Sequence, residues 1–505
     1  MYLGLYQKLF ATAAVLGVFA CVLARRYLAR RRLARDHGCQ PVARCLSKDP
    51  FLGLDTIPMS IRASKQHKIL EQNCKNYALY GNTFKVKELH RSAILTIEPE
   101  NIKTILSLKF GDYGIGHRLE AFRPLLGEGI FDTDGHHWAA SRSLIRPSFT
   151  HRQVADLTTL EHLIQDLFAL LPRDPTTVVD LQDFFFRYTI DSATEFLFGQ
   201  SVGTLKKSRS GPNFAEAFHY AQRGIIVRGM LGPLKAFYRD PKVDECNRIC
   251  RDFVQPFVDD AFHAVEASNA NKGRQAEMDR EKRIFSHELA SRTSDRRRVL
   301  NELMNVLLAG RDTTASLLSN LFFMLARNPA IWDKLRSETA FLQGRAPSYE
   351  ELRNLKYVEY CVKESLRLHP VVPRNEREAL RDTMLPLGGG KNGLSPVFVP
   401  KGTLVAYNVY AMHRRIDLYG PDAEEFRPER WENHKLRPRW GYLPFNGGPR
   451  ICVGQRYALT EVSYVVVRMA QEFRILESRD VRPWEELLTL TLSSRNGTKV
   501  SLTAA

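Results

Sequence analysis

Cysteine is scarce in this chain of 505 residues, and no spacing pairs it. The eight cysteines stand at 21, 39, 45, 74, 246, 250, 361 and 452, with no CxxC pair and no regular framework. That excludes a disulfide scaffold and a zinc ribbon and favours a reduced, cytosol-facing compartment. Cys246 and Cys250 are four residues apart, but no histidine or second pair stands near them, so they are expected to be ordinary helix residues. There is no internal repeat, no low-complexity tract and no linker long enough to divide the chain. Nor does a recognisable nucleic-acid module accompany the net charge of +17. The charge is therefore expected on solvated surface, part of it suited to an acidic partner, with no nucleic acid bound.

Long apolar runs are almost as rare. One stands out: residues 3–24, "LGLYQKLFATAAVLGVFACVLA", interrupted only by Gln7, Lys8 and Thr12. It is about the roughly 20 residues that span a bilayer core. Six arginines follow between Arg25 and Arg35, and such a cluster stays on the cytosolic side. The expected organisation is an anchor at 1–24, a basic linker and hinge at 25–50, and a catalytic domain at 51–505. The Asn496-Gly497-Thr498 sequon is expected to carry no glycan if that domain is cytosolic.

Helical periodicity dominates the rest. Residues 82–100 alternate and predict a strand pair before a helix, while "LTTLEHLIQDLFALLP" and "VDLQDFFFRYTIDSATEFLFG" predict helices. A very long helix is expected to end at Pro329. "LLTLTLSSRNGTKVSLT" predicts a hairpin closed by Asn496-Gly497. "LGGGKNGLSP" lacks the Ser or Thr that must follow Gly-Lys in a phosphate-binding loop, because Asn392 stands there; a turn between strands is the better account.

One cysteine sits in unusual company. Residues 445–454 read "FNGGPRICVG": three glycines and a proline make a stiff, bare loop around Cys452. A helical run begins just after Gly454, and amides at a helix start favour a thiolate. Three other stretches bear on it. "AGRDTT" (309–314) places Gly310, Asp312 and Thr313 mid-helix, where a threonine hydroxyl bonding back to the carbonyl four residues earlier bends a helix and opens a groove. "KESLRLHP" puts Glu364 and Arg367 on one helix face. "EEFRPERW" supplies Arg430 after a proline-bounded bend.

Taken in order, AGxDTT, ExxR, PER and FxxGxRxCxG, joined by Trp138 and Arg142 of "HHWAASR", resemble the cytochrome P450 superfamily from the anchor to the end of the chain. The resemblance implies a mainly α fold with a small β-rich lobe and haem b. It implies Cys452 as the thiolate ligand of the iron, and Arg450, Trp138, Arg142 and Arg377 as partners of the haem propionates. Gly447 and Gly454 belong to the same cofactor loop. Glu364, Arg367 and Arg430 take the place of a structural triad. Thr313 and Asp312 take that of the oxygen-activating pair, the hydroxyl steadying oxygen and water and the carboxylate relaying protons. Electrons are expected from a membrane-bound NADPH–cytochrome P450 reductase.

A narrower likeness runs through "VDLQDFFFRYTIDSATEFLFGQSV", "LGGGKNGLSPVFVPKGTLVAYNVYAMHRR", "YGPDAEEFRPERW", "GYLPFNGGPRICVGQRYALTE" and "KDPFLGLD" (48–55). These resemble the fungal alkane- and fatty-acid-hydroxylating family, which implies terminal hydroxylation of a long aliphatic chain at the endoplasmic reticulum membrane. Glu376 departs from that family's apolar or small residue. Two alternatives stand beside this reading: tailoring oxidation of a polyketide or other secondary metabolite, and a haem-thiolate isomerase needing no reductase. Thr313 argues against the isomerase, and Cys452, Thr313 and Asp312 together argue against a silent sterol- or haem-binding protein.

Overall fold

The structure is a computed structural model describing residues 2–45, 49, 56–88, 91–149, 155–206, 214–270, 284–433 and 435–505. The stretch 48–55 therefore lies outside the described residues except for Asp49. One helix runs from Tyr2 to Asp36 without interruption. From Phe10 to Asp36 it is long and apolar enough to cross a membrane, with none of its most apolar window buried. The expected boundary at residue 24 does not appear as a break. Residues 22–35 are mostly Leu, Ala and Arg, all strong helix formers, so the helix continues through the basic cluster.

The chain folds as two compact units. The first joins Met1–Arg62, Glu71–Gly114 and Glu376–Asn408 and is rich in strands. Its main sheet contains β1 (Ala43–Arg44), β2 (Thr83–Glu88), β3 (Arg91–Thr96), β4 (Tyr113–Gly114), β6 (Arg374–Ala379) and β9 (Leu404–Asn408), in the order β1-β2-β3-β9-β6-β4. The alternating segment 82–100 is the antiparallel β2–β3 pair, in register from Thr83↔Thr96 to Glu88↔Arg91, and a short helix Pro99–Lys103 follows. β7 (Thr383–Gly389) and β8 (Ser395–Val399) form a separate antiparallel pair. The glycine-rich turn between them leads into a strand rather than a helix, so no phosphate-binding loop is built there. Arg30 of the N-terminal helix donates two hydrogen bonds to Asp382 of this unit, at 2.9 and 3.0 Å.

The second unit, Ala63–Leu70, Ile115–Asn375 and Val409–Ala505, is helical around two apolar clusters. Its central helix, Arg296–Leu325, contributes to both. Helix Leu181–Phe198 packs along it closely enough that a Cβ on Gly310 would lie 3.4 Å from that of Ala193. The central helix stops four residues before Pro329. Asn328 takes an extended φ of −129° ahead of the proline, and its side chain donates to the Met324 carbonyl at 2.7 Å. Pro329 then opens the next helix, where its missing donor costs nothing.

The C-terminal hairpin is corrected by the structure. β12 (Leu492–Ser494) pairs with β11 (Glu486–Leu488), whereas β13 (Lys499–Ala504) pairs with β10 (Phe473–Ser478) and β5 (Val179–Asp180). Gly497 alone has a positive φ, +74°, while a two-residue type I′ turn needs two such residues. The turn docks instead on Asp180, which caps helix Leu181–Phe198 and accepts from the Thr498 amide at 2.7 Å.

Candidate functional site

The cysteine loop is held in shape by its own backbone. The Cys452 amide donates to the Phe445 carbonyl at 3.0 Å, and Asn446 Nδ2 donates to that of Arg450 at 3.2 Å. Asn446 and Gly448 take φ of 62° and 68°, a region that Asn tolerates and Gly enters freely. Gly447 has a different reason for being bare: a Cβ there would meet the Trp440 ring at 2.5 Å. Helix Gln455–Glu472 starts directly after Gly454, as expected, and the Gly454 amide hydrogen-bonds the cysteine sulfur. Burial pushes the thiol upward, while that amide and the Arg142 charge pull it down. Cys452 presents accessible surface on this loop.

Cations and a ring gather beside it. Helix Gly135–Ile145 carries Trp138 and Arg142 one turn apart. Arg142 Nη1 donates to the Ile451 carbonyl at 3.0 Å. Arg450 lies with its guanidinium carbon 4.4 Å from the centre of the Trp138 ring. Its Nη2 donates to the Thr133 carbonyl at 2.8 Å and to Asp134 at 2.5 Å. Trp138 and Val453 both pack on the apolar cluster that contains Leu303, Leu307 and Leu308 of the central helix, which brings the loop, the Trp–Arg helix and the central helix to one place. Arg377 is buried in the strand-rich unit and donates to the Glu376 carbonyl at 2.7 Å.

The central helix shows what AGRDTT does. From Val299 to Phe323, only Ala309, Gly310 and Thr313 escape full burial. These positions, i, i+1 and i+4, make one small accessible patch in a helix otherwise packed all round. Thr313 Oγ1 donates to the Ala309 carbonyl at 2.6 Å, the back-bond expected from the sequence. Asp312 is buried and accepts from Arg311 Nη1 at 2.7 Å, a partner the sequence reading did not single out.

Glu364, Arg367 and Arg430 come together at zero to three per cent exposure. Glu364 accepts two hydrogen bonds from Arg367, at 2.8 and 2.9 Å, and one from Arg430 at 3.0 Å. Trp431 Nε1 and the Arg427 amide, at 3.0 and 3.1 Å, complete its shell. His413, also missed by sequence reasoning, connects this network to the cysteine loop. Its backbone carbonyl accepts from Arg367 at 3.0 Å, and its Nε2 accepts from the Leu443 amide at 2.9 Å. Burial pushes the imidazole down to about 3, so it stays neutral and can accept. The sequence signal was present in "PERW" and "YAMHRR", where a Trp and a His sit beside motif residues, but a lone aromatic carries no spacing of its own.

The donor set suits haem. A flat tetrapyrrole bearing two carboxylates needs a soft axial donor, cations at its edge and apolar walls. Cys452, the Arg450–Trp138–Arg142 group and the leucine-lined cluster supply these.

Comparison with known proteins agrees. The family model described as Cytochrome P450 matches residues 56–500. The chain is 49% identical to Cytochrome P450 monooxygenase himC of Aspergillus japonicus over 99% of this chain and 92% of that protein. It is 47% identical to Cytochrome P450 monooxygenase fsdH of Fusarium heterosporum over 97% and 89% of the two chains. With Cytochrome P450 52A3-B of Candida maltosa it shares 43% identity over 81% of this chain and 80% of that one.

Proposed function

This chain belongs to the cytochrome P450 family, a haem-thiolate monooxygenase with cysteine on the iron, and from that premise we propose that it hydroxylates a long aliphatic chain at or near its end. Cys452 would hold the haem iron through its thiolate in this reading. When bound, the haem supplies the oxidising power that splits O₂ and attacks a C–H bond. The protein's own groups do the rest. Arg450, Arg142 and Trp138 hold the propionate edge, and the Gly454 amide tempers the sulfur. Thr313 holds a hydroxyl at the accessible patch, and Asp312 brings protons toward it. Arg377 is a further candidate for the propionates, from its place in "VPRNERE".

The observation that carries the substrate reading is the patch itself. Ala309 is small enough to leave room for a narrow apolar chain, and the Thr313 hydroxyl is the polar group there. Terminal C–H bonds are the strongest in such a chain, so terminal attack depends on positioning rather than reactivity. Val371, buried where the Leu492 amide meets its carbonyl, is the candidate constriction; Val372 is more exposed. Arg118, which donates to Asn375 at 2.8 Å, and Arg223 are the two candidates to meet a far-end carboxylate. Electrons come from an NADPH–cytochrome P450 reductase at the endoplasmic reticulum membrane, with the body cytosolic. Biosynthetic tailoring of an aliphatic product is the second reading, favoured by the likeness to the Aspergillus and Fusarium monooxygenases.

Reconstitution with reductase tests this. Alkanes, fatty acids and aliphatic polyketides should shift the Soret band and give oxygenated product only with NADPH. Oxidation of rigid ring systems alone would overturn the substrate, and product without reductase would overturn the monooxygenase cycle. Cys452→Ser should abolish the red-shifted band of the ferrous carbon monoxide complex.

A further inference from the structure

The second half of the central helix carries a buried polar stripe. Ala309, Thr313, Ser316 and Asn320 are spaced four, three and four residues apart, so they lie along one face. The first two are accessible, whereas Ser316 and Asn320 are fully buried. Ser316 sits about 4.5 Å and Asn320 about 10 Å further along the axis than Thr313. The β11–β12 hairpin covers them. Ser316 Oγ donates to Thr491 Oγ1 at 3.0 Å. Asn320 Nδ2 donates to the Leu492 carbonyl at 2.8 Å, and its Oδ1 accepts from Trp484 Nε1 at 3.0 Å.

The same hairpin reaches Val371. The Leu492 amide donates to the Val371 carbonyl at 3.0 Å, so one residue of β12 is held by Asn320 through its carbonyl and holds Val371 through its amide. Trp484 adds a second route, because its ring centre lies 4.3 Å from that of His369, two residues before Val371. Two strands of three residues have little register of their own, and a slip of one residue turns every side chain to the other face. β11 has an anchor in Glu486, which accepts from the Ile69 and Leu70 amides at 2.5 and 2.8 Å. Asn320 supplies the anchor for β12. A buried amide satisfied at both ends resists sliding, since any other register leaves polar groups without partners.

We propose that Asn320 is a positioning residue for regioselectivity: by holding β12 in register it fixes the Val371 backbone, and with it how far the end of an aliphatic chain can advance. This rests on the reading of Val371 as the constriction. Val371 meets the chain; Asn320, covered by the hairpin, does not. Without the Asn320 amide, the Leu492 carbonyl and the Trp484 N–H are buried and unpaired. β12 then shifts to satisfy them, and Val371 follows its hydrogen bond. The chain stops at a different depth, and internal carbons come within reach of oxidation.

The test uses holoenzyme reconstituted with reductase, with dodecanoate and hexadecane as probes. Terminal and internal products are compared in Asn320→Leu, Trp484→Phe, Ser316→Ala, Val371→Ala and the double variant of Asn320→Leu with Val371→Ala. Asn320→Leu should raise the ratio of internal to terminal product about tenfold while keeping the carbon monoxide band. Hydrogen exchange of the Leu492 amide, followed by mass spectrometry, should quicken by about the same factor. Trp484→Phe, which loses one of the two bonds, should shift the ratio less and in the same direction. In the Val371→Ala background Asn320→Leu should add nothing, because both changes act through one side chain. A lower melting temperature with wild-type regiochemistry would make Asn320 structural only and overturn the proposal, as would additive shifts in the double variant. If neither probe is oxidised, or Val371→Ala leaves the products unmoved, the constriction reading itself fails and takes the proposal with it. Should Asn320→Leu not take up haem, wild-type product ratios in both Trp484→Phe and Ser316→Ala overturn the proposal.

Discussion

Glu364 shows how much one side chain can organise. It accepts five hydrogen bonds from four residues at zero exposure, and two of those residues, Arg367 and Arg430, donate through their guanidinium groups. Removing its charge leaves two buried guanidinium groups facing a neutral amide. Glu364→Gln is expected to cost about 3–5 kcal/mol and to yield protein without haem, measured by denaturant unfolding and by the ratio of Soret to protein absorbance. Trp431→Phe removes a single bond to a charged acceptor and should cost about 1.5–3 kcal/mol while retaining haem. Near-normal stability of Glu364→Gln would mean the network is not what holds this region. At this scale the motif residues were legible because spacing announces them. Arg311 and His413 were not, because their importance comes from partners distant in sequence or from an adjacent pair that helical periodicity does not put on one face.

At the scale of elements, the segment Gly129–Asp134 links the central helix to the Arg450 group. Glu302 of that helix accepts from the Ile130 amide at 3.2 Å, Asp132 accepts from the Gly129 amide at 2.7 Å, and the Thr133 carbonyl accepts from Arg450. Asp132 and Glu302 each keep one buried oxygen without a partner. Desolvation raises both to about 7, and for Asp132 the charge of Glu302 raises it further. The folded protein thus retains protons that the unfolded chain releases near pH 4. These two groups add most stability below about pH 4, lose it as pH climbs through about 7, and change little above. The thermal midpoint should fall over that interval, by the equivalent of at most about 4 kcal/mol from Asp132 and about 3 kcal/mol from Glu302, and Asp132→Asn with Glu302→Gln should flatten the fall. An unchanged pH profile in the double variant would remove the pair from the account. A second element-scale expectation concerns Gly497: its φ is positive, and a Cβ there would lie 1.9 Å from Asp180 Oδ2. Gly497→Ala should lower the melting temperature by several degrees through strain of about 1–3 kcal/mol plus the clash. Strand and helix segments were readable from periodicity, but the partner of β13 was not. Asn-Gly announces a turn and says nothing about which strand a distant chain segment such as β5 or β10 will offer.

At the scale of the whole molecule, the apolar span and its basic flank were plain in the sequence, and the structure adds that they are one helix. Deleting residues 2–24 should move the protein from the membrane pellet to the soluble fraction and leave its carbon monoxide spectrum intact. Persistent membrane association would point to a second attachment. The sequon at Asn496 is less useful for topology than its sequence suggested. Asn496 is half-buried and its Nδ2 is enclosed, so a glycan there would have to be added before the chain folds. A sequon engineered into an exposed loop is the better reporter, and it should remain unmodified if the body is cytosolic.

The unbroken helix also has a screw sense. Long and apolar enough to cross a bilayer, it is a rod tied to the strand-rich unit by the two hydrogen bonds from Arg30 to Asp382. Each residue along an α-helix advances about 1.5 Å and turns about 100°. A single alanine inserted after Arg26 would therefore raise the strand-rich unit slightly and swing it by roughly a quarter-turn relative to the span, whereas seven would nearly restore the bearing about 10 Å further out. Activity in membranes should then vary with the number of inserted residues as a periodic function, not a gradual decline, and detergent solution should erase the oscillation.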